Sequence, residues 1–543
     1  MSSAYTGTTR LARLALRRDR VQLPVWILST AALGAFASSA IDTQYPTEAD
    51  RLAVLRVAVD TPGLLMFRAA PTGTSDGQMT VFGILAFLAL MAGFMSTLAV
   101  VRHTRQNEET GRAEMIGATA VGRHASLTAA LIVVVGANVA LATLIGLTFA
   151  GNGEPVAGSF AAGAGVGAAG IAFAAIAAVV AQLTQGARAA NGIAAAAVGT
   201  GYLIRGLADA FGEVRPDGYT MSSAWPSWLS PIGWTMQIRP FAGDRWWVLA
   251  LPLALLGIMT TAAFALTARR DVGMGLLPDR PGPARASTAL LSPLGLAWRL
   301  QRGTVLGWAV TIAAFGLLVG SIANAVKDQL AANENVAGRL DDLAGGGGHE
   351  VMDAFFAAMM ATIGVLVAGF LVQALLRARA EEASGRAEAV LATATGRLTW
   401  LGSHVVIATA GAVGMLGLAA ASIGLVYGAS VDDLGGQTGH LAGTAYLQLP
   451  AVLTLAGLAV ALFGLVPRIS VGLTWFGFAL TFVLGPYGSL FGVPEAVREI
   501  SPFSHIPAAP ADATAAPIVV MSAVALALGG AGLILFRRRN LAS

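Results

Sequence analysis

Twelve stretches of this chain are apolar over about the length that a bilayer requires, and polar segments separate them. They lie near residues 21–41, 79–101, 124–150 and 159–183, then in a fifth stretch ending near 202–208 and a sixth at 246–268. Six more lie near 303–325, 354–376, 398–427, 443–466, 469–490 and 517–536. The stretches are continuously apolar, not alternating, which predicts helices and excludes the strands of a membrane barrel. The fold class expected is therefore an all-α polytopic membrane protein with twelve transmembrane helices. Ahead of the first stretch, Arg10, Arg13, Arg17 and Arg20 are spaced three or four apart, with Leu11 and Leu14 on another face. That spacing predicts a basic amphipathic helix over 6–20, lying on a membrane surface; the blander alternative is a solvated arm. The polar segment 42–78 reads as a loop. The segment 209–245, with Trp225, Trp228 and Trp234, reads as short interfacial helices.

One polar segment occurs twice. Gly111-Arg112-Ala113-Glu114 returns as Gly385-Arg386-Ala387-Glu388, and 9 of 13 positions agree between 111–123 and 385–397. Arg105 and Glu108 return as Arg379 and Glu382 at the same offset of 274. Ser230-Pro231 matches Ser501-Pro502, and Arg269-Arg270 matches Arg538-Arg539. The pattern divides the chain into two halves of six spans, 1–285 and 286–543, joined near a Pro/Gly linker at 277–283. Six is even, so both halves enter the membrane from the same side and are parallel repeats.

Charge then orients the chain. With both termini on the cytoplasmic side, 24 of the 34 basic residues fall inside and 10 outside. The positive-inside rule favours that arrangement; the preference for Arg over Lys, with abundant Ala and Gly, is associated with GC-rich bacterial genomes, so a bacterial plasma membrane is the expected location. The first 20 residues lack an apolar core followed by a small-residue cleavage site, so no cleaved signal peptide is expected. Hydrophobic residues make up 55% and charged residues 12% of the 543, and there is no cysteine. Thiolate catalysis, disulfides and cysteine metal sites are thereby excluded.

Little catalytic chemistry is on offer. The one lysine, Lys327, follows no Gly-rich turn, so a phosphate-binding loop of the P-loop kind is excluded. Gly345 to Gly348 reads as a loop, without the Lys-Ser or Lys-Thr that a phosphate loop needs. The six histidines have no metal-ligand spacing. No carboxylate lies well inside any predicted span, which disfavours a proton relay, and no metal or cofactor is expected in this chain. The repeated loop carries both charge signs at helical spacing. Arg105, Glu108, Glu109, Arg112 and Glu114, with Arg379, Glu381, Glu382, Arg386 and Glu388, suit docking into a cleft on a partner protein; the alternative is a solvated loop with internal charge pairs. Two Met/Phe-rich faces, Phe87, Met91, Phe94 and Met95, and Phe356, Met359 and Met360, could line a cavity for hydrophobic compounds or serve ordinary packing. Gly158 to Gly170 is spaced for close helix contact.

Several fragments together resemble a known family. They are Arg102-His103-Thr104-Arg105 with Glu108-Glu109, Ala181-Gln182-Leu183-Thr184, Ser230-Pro231-Ile232-Gly233-Trp234, Arg239-Pro240-Phe241, Arg245-Trp246-Trp247 and Arg270-Asp271. The chain resembles the permease of actinobacterial ABC exporters of the polyketide-antibiotic, tetronasin-type class. The resemblance implies a type V exporter fold and two copies of a separate cytoplasmic ATPase subunit, which bind ATP and Mg. It implies coupling helices at 105–114 and 379–388 and connecting helices at 6–20 and 288–302. It also implies a hydrophobic small-molecule cargo passing between the halves, with the bilayer, not nucleic acid, as surroundings. Two other classes are weighed beside it: a proton-coupled secondary exporter, and a membrane enzyme acting on lipids through Glu108/Glu109 or Glu381/Glu382.

Overall fold

The computed structural model describes residues 4–277, 284–332, 347–485, 494–506 and 514–540. The chain forms two compact units, Met1–Pro281 and Gly282–Ser543. The expected linker at 278–283 lies outside the described residues, as do Gly345 and Gly346 of the glycine run; Gly347 opens a helix.

The first unit begins with α1 (Thr8–Arg18) and α2 (Gln22–Ser39), followed by α3 (Ala86–His103), α4 (Ala125–Gly151) and α5 (Val156–Leu183). It ends with α6 (Ala187–Ala210) and α7 (Ala250–Thr267). Its core is dense because its helices are rich in small residues. Val134, Asn138, Leu141, Ile145 and Phe149 make one fully buried stripe along α4 at helical spacing. Against that stripe α5 brings glycine: a Cβ on Gly163 would lie 2.2 Å from the Ala142 carbonyl oxygen, and one on Gly167 2.7 Å from that of Asn138. The close contact read from Gly158 to Gly170 is therefore present, and only glycine permits it at those two positions. Asn138 donates to the Ser96 hydroxyl at 2.8 Å, which ties α4 to α3.

The second unit comprises α8 (Pro293–Ala332), α9 (Gly347–Ala383), α10 (Arg397–Ser430), α11 (Leu434–Tyr446), α12 (Leu449–Leu465), α13 (Ser470–Leu484) and α14 (Ala515–Arg538). Here α12 meets α14 through glycines: a Cβ on Gly464 would lie 2.4 Å from the Gly532 carbonyl oxygen. Among the described residues, ten helices are long and apolar enough to cross a membrane. The chain is thus a polytopic helical membrane protein, but the structure supports ten such helices and not the twelve expected. The fifth and eleventh expected spans coincide with α6 and α13. Helix α6 is diluted by Arg188, Asn191, Arg205 and Asp209, and α13 has 15 residues.

Two further expectations change. Segment 42–78 is not a loop: capping boxes at Thr47 and Ser75 start short helices, and Ile41, Leu55, Leu65, Met79 and Phe82 bury a small core of their own. Residues 288–302 do not form a separate helix, because α8 runs without a break from Pro293 into the apolar stretch. Arg205, at the end of the fifth expected stretch, is fully buried in α6. It donates to the Met66 carbonyl at 2.8 Å and to Asp209 at 3.0 Å, and Tyr202 donates to the Phe67 carbonyl at 2.6 Å. The last carbonyls of helix Pro62–Phe67, left without partners by the helix itself, are satisfied in this way.

Candidate functional site

The repeated polar segment turns at a glycine, between two short helices in the first unit and between the end of α9 and one short helix in the second. In the first unit α3 ends at His103, and helices Arg105–Glu109 and Arg112–Gly117 follow. In the second unit α9 carries Arg379, Glu381 and Glu382 in its last turns, and helix Arg386–Leu391 follows. The glycine between has φ 72° at Gly111 and φ 74° at Gly385. Open space surrounds both, so the left-handed backbone and not crowding is what calls for glycine.

Buried charges hold this segment against the rest of its unit. Arg105 is fully buried and donates to the Ala181 carbonyl through Nε at 3.0 Å and Nη2 at 2.5 Å, and to Glu108 at 2.7 Å. Glu108 accepts both guanidinium nitrogens of Arg270, at 2.6 and 2.8 Å, and the Gly273 amide at 3.2 Å. Arg270 also donates to Gln182 at 2.8 Å. Three fragments far apart in sequence, at 105–108, 181–182 and 270–273, therefore close into one network. The second unit has the counterpart: Arg539 clasps Glu382 at 2.6 and 2.8 Å, with Arg379 at 3.5 Å from the same carboxylate. Phe463 and Phe536 flank the Arg539 guanidinium, each with its ring centroid 5.0 Å away. Bidentate arginine–carboxylate pairs are strong and directional, and when buried they fix geometry more than they add net stability.

The remaining predicted residues separate by exposure. Glu109, Arg112 and Glu114 are exposed, although Glu109 accepts the Ala187 amide at 3.0 Å and so ties the loop to the start of α6. Glu381 is buried between Arg377 at 2.5 Å and Arg386 at 2.7 Å, while Arg386 and Glu388 are exposed. Of the Met/Phe residues, Met95, Phe356 and Met360 are buried in their own units, Met91, Phe94 and Met359 are half-buried, and Phe87 is exposed. Phe356 packs edge-on to Tyr427 at 5.0 Å between centroids.

Sequence reading missed several anchors. Arg270 and Arg539 were visible as a repeated Arg-Arg pair, but not as partners of Glu108 and Glu382. Asp19, just past α1, is buried and accepts from Arg102 at 2.9 Å and pairs with His103 at 2.7 Å. Arg18 donates to Asn107 at 2.6 Å. No spacing rule links positions more than 80 residues apart, so nothing in the sequence marked these three contacts. Among the described residues no group of His, Asp and Glu is placed to hold a metal ion.

Residues 290–537 match the family described as "Multidrug efflux system permease Rv1217c, C-terminal domain". The whole chain is similar to the multidrug efflux system permease protein Rv1217c of Mycobacterium tuberculosis, at 39% identity over 543 residues, covering 99% of this chain and 96% of that protein.

Proposed function

Because the chain belongs to the family of multidrug efflux system permeases, we propose that it is the membrane permease of an exporter of hydrophobic or amphiphilic compounds. In this reading the energy comes from ATP hydrolysis on two copies of a separate cytoplasmic subunit. The likeness over nearly the full length supports the transport role. The observation that carries the coupling role is the anchored polar segment, found once in each unit. Buried pairs hold it rigidly, and exposed Arg112, Glu114, Arg386 and Glu388 face outward. A transmitting element needs both properties, a rigid mounting and a free charged face that sets the register of a partner.

The predicted docking residues then divide their work. Arg105, Glu108, Arg379, Glu381 and Glu382 mount the segment, while Glu109, Arg112, Glu114, Arg386 and Glu388 meet the ATPase. Helices α6 and α13 complete twelve crossings in two parallel repeats. The 24 residues of α6 span about 36 Å at 1.5 Å each, which suffices for a hydrocarbon core despite its polar residues. Both termini are cytoplasmic, as the 24 basic residues on that side favour. The cargo is apolar, in keeping with the tetronasin-type resemblance, and the Met/Phe faces are its candidate lining.

The test is co-purification with the candidate ATPase subunit, and drug-stimulated ATP hydrolysis of the complex. Glu114→Arg with Glu388→Arg leaves the buried anchors intact. It is expected to abolish assembly or to reduce stimulation at least tenfold, a loss of about 1.4 kcal/mol of coupling. Unchanged assembly and stimulation would place the docking surface elsewhere. Export that persists without any ATPase and collapses with a protonophore would establish proton coupling instead.

A further inference from the structure

One face of α1, carrying Leu11, Leu14, Ala15, Arg17 and Arg18, borders a groove, while Arg13 and Arg20 lie outside it. The groove has a volume of about 520 Å³, and its other walls are the helix Arg112–Gly117 and the start of α4. Leu11, Leu14 and Ala15 make the apolar side on α1. Ser126, Ala129 and Ala130 line the α4 side, at i, i+3 and i+4 and so on one helical face. Ala129 and Ala130 lie in the second turn of α4, roughly 6–8 Å along its axis at 1.5 Å per residue. The groove thus begins among polar residues and ends beside an apolar span. A second cavity of about 980 Å³ adjoins it, sharing Leu11, Leu14, Arg112 and Ile116, and adds Arg10 and Met115.

The charge of this groove has one sign. Arg17, Arg18 and Arg112 line it, and no Asp or Glu is among the described residues lining either cavity. The nearest acid on the same segment, Asp19, is already engaged by Arg102 and His103. Burial, then repulsion from Arg112 and a smaller push from Arg102, holds the Arg18 guanidinium below the usual arginine range against the opposing attraction of Asp19. A site with clustered arginines at its mouth and alkyl walls at its base matches an amphiphile with an anionic head.

We propose that this groove binds an anionic phospholipid, its phosphate between Arg18 and Arg112 and its acyl chains against Ala129 and Ala130. A lipid fits better than an acidic protein segment because the groove leads onto the side of an apolar helix, where a soluble partner has nothing to hydrogen-bond. Arg112 also takes part in the proposed ATPase contact. The test therefore uses the chain alone, and its failure leaves the transport reading untouched.

The purified full-length chain, in neutral detergent, is titrated with phosphatidylglycerol or with phosphatidylcholine of the same acyl chains, and bound lipid is counted by native mass spectrometry. Phosphatidylglycerol is expected to be retained preferentially. Arg18→Gln with Arg112→Gln is expected to weaken its retention about twenty-five-fold, roughly fivefold for each arginine lost. Arg13→Gln, on α1 but away from the groove, retains wild-type binding. Ser126→Trp fills the groove, keeps every charge and is expected to lose the lipid, which decides the matter if the double variant folds poorly. Equal retention of both lipids, or loss in Arg13→Gln as large as in the double variant, would overturn the site. Competition by soluble glycerol phosphate at equal concentration would also overturn it, since the groove would then read a phosphate and not a lipid.

Discussion

At the scale of single residues, one acid that the proposed transport machinery does not use is Glu154, in the turn between α4 and α5. It is 8% exposed, and its pKa is pushed up to about 7, first by burial and then by the nearby carboxylates of Asp76 and Asp42. The Gly77 amide and Arg51 oppose that rise without cancelling it. Arg51 itself is shared between Asp42, at 2.9 Å, and Asp76. A carboxyl whose folded pKa lies above its ordinary value of 4.5 favours the folded state while protonated. Its contribution is complete below pH 4.5 and is lost as the pH rises through about 7. Glu154→Gln should therefore flatten the pH dependence of stability across that window, and should raise stability at pH 8 by something on the order of 2 kcal/mol. Thermal unfolding in detergent from pH 5 to pH 8 measures it, and an unaltered pH profile in the variant would refute it. Sequence reading passed over this residue because an acid beside Pro155 in a turn looks solvated. Its burial comes from Gly77 and Phe241, which only the fold brings near.

At the scale of elements, most helices were legible and the exceptions have physical causes. Continuous apolar runs located α2, α4, α5, α7, α10 and α14 within a few residues, because length and hydropathy agree there. Helix α8 was misjudged at its start: the charged residues Arg299 and Arg302 interrupt the apolar run but not the backbone helix. The helices of 42–78 were missed because most are four to six residues long and the longest, Glu48–Val59, shows no one-sided apolar face. The repeated glycine was legible as a repeat, while its reason lies in the backbone. Gly111→Ala and Gly385→Ala should each cost about 1 kcal/mol, since alanine resists a positive φ even where there is room for it. If the short helices must hold their angle to transmit motion, the pair of substitutions lowers drug-stimulated ATP hydrolysis more than basal hydrolysis. A fall in both by the same factor would show that the turn is structural only.

At the scale of the whole molecule, the two units use the same device with different detail. Each ties its polar segment to the arginine that follows its last helix, through Glu108 with Arg270 and Glu382 with Arg539. Their surroundings differ: position 107 is an asparagine held by Arg18, and its counterpart is Glu381, held by Arg377 and Arg386. Glu109 likewise has Ala383 as its counterpart. The first unit therefore offers its partner more negative charge. Reversing Glu114 alone and Glu388 alone should lower stimulated ATP hydrolysis unequally, and equal losses in the two single variants would show the docking sites to be equivalent. Sequence made the repeat visible but not this difference, because what each acid contributes depends on which arginines the fold brings to it.

The pairing of Glu108 with Arg270 also bears on how such a chain can change over generations. The two positions stand 162 residues apart, yet neither is free to drift alone. Losing the acid leaves two buried guanidiniums, Arg105 and Arg270, without their carboxylate, and losing Arg270 leaves Glu108 with Arg105 as its one remaining cation. Lineages that abandon the pair must pass through a weakened intermediate or exchange both partners together. Positions 382 and 539 carry the same constraint as a second, separately inherited lock.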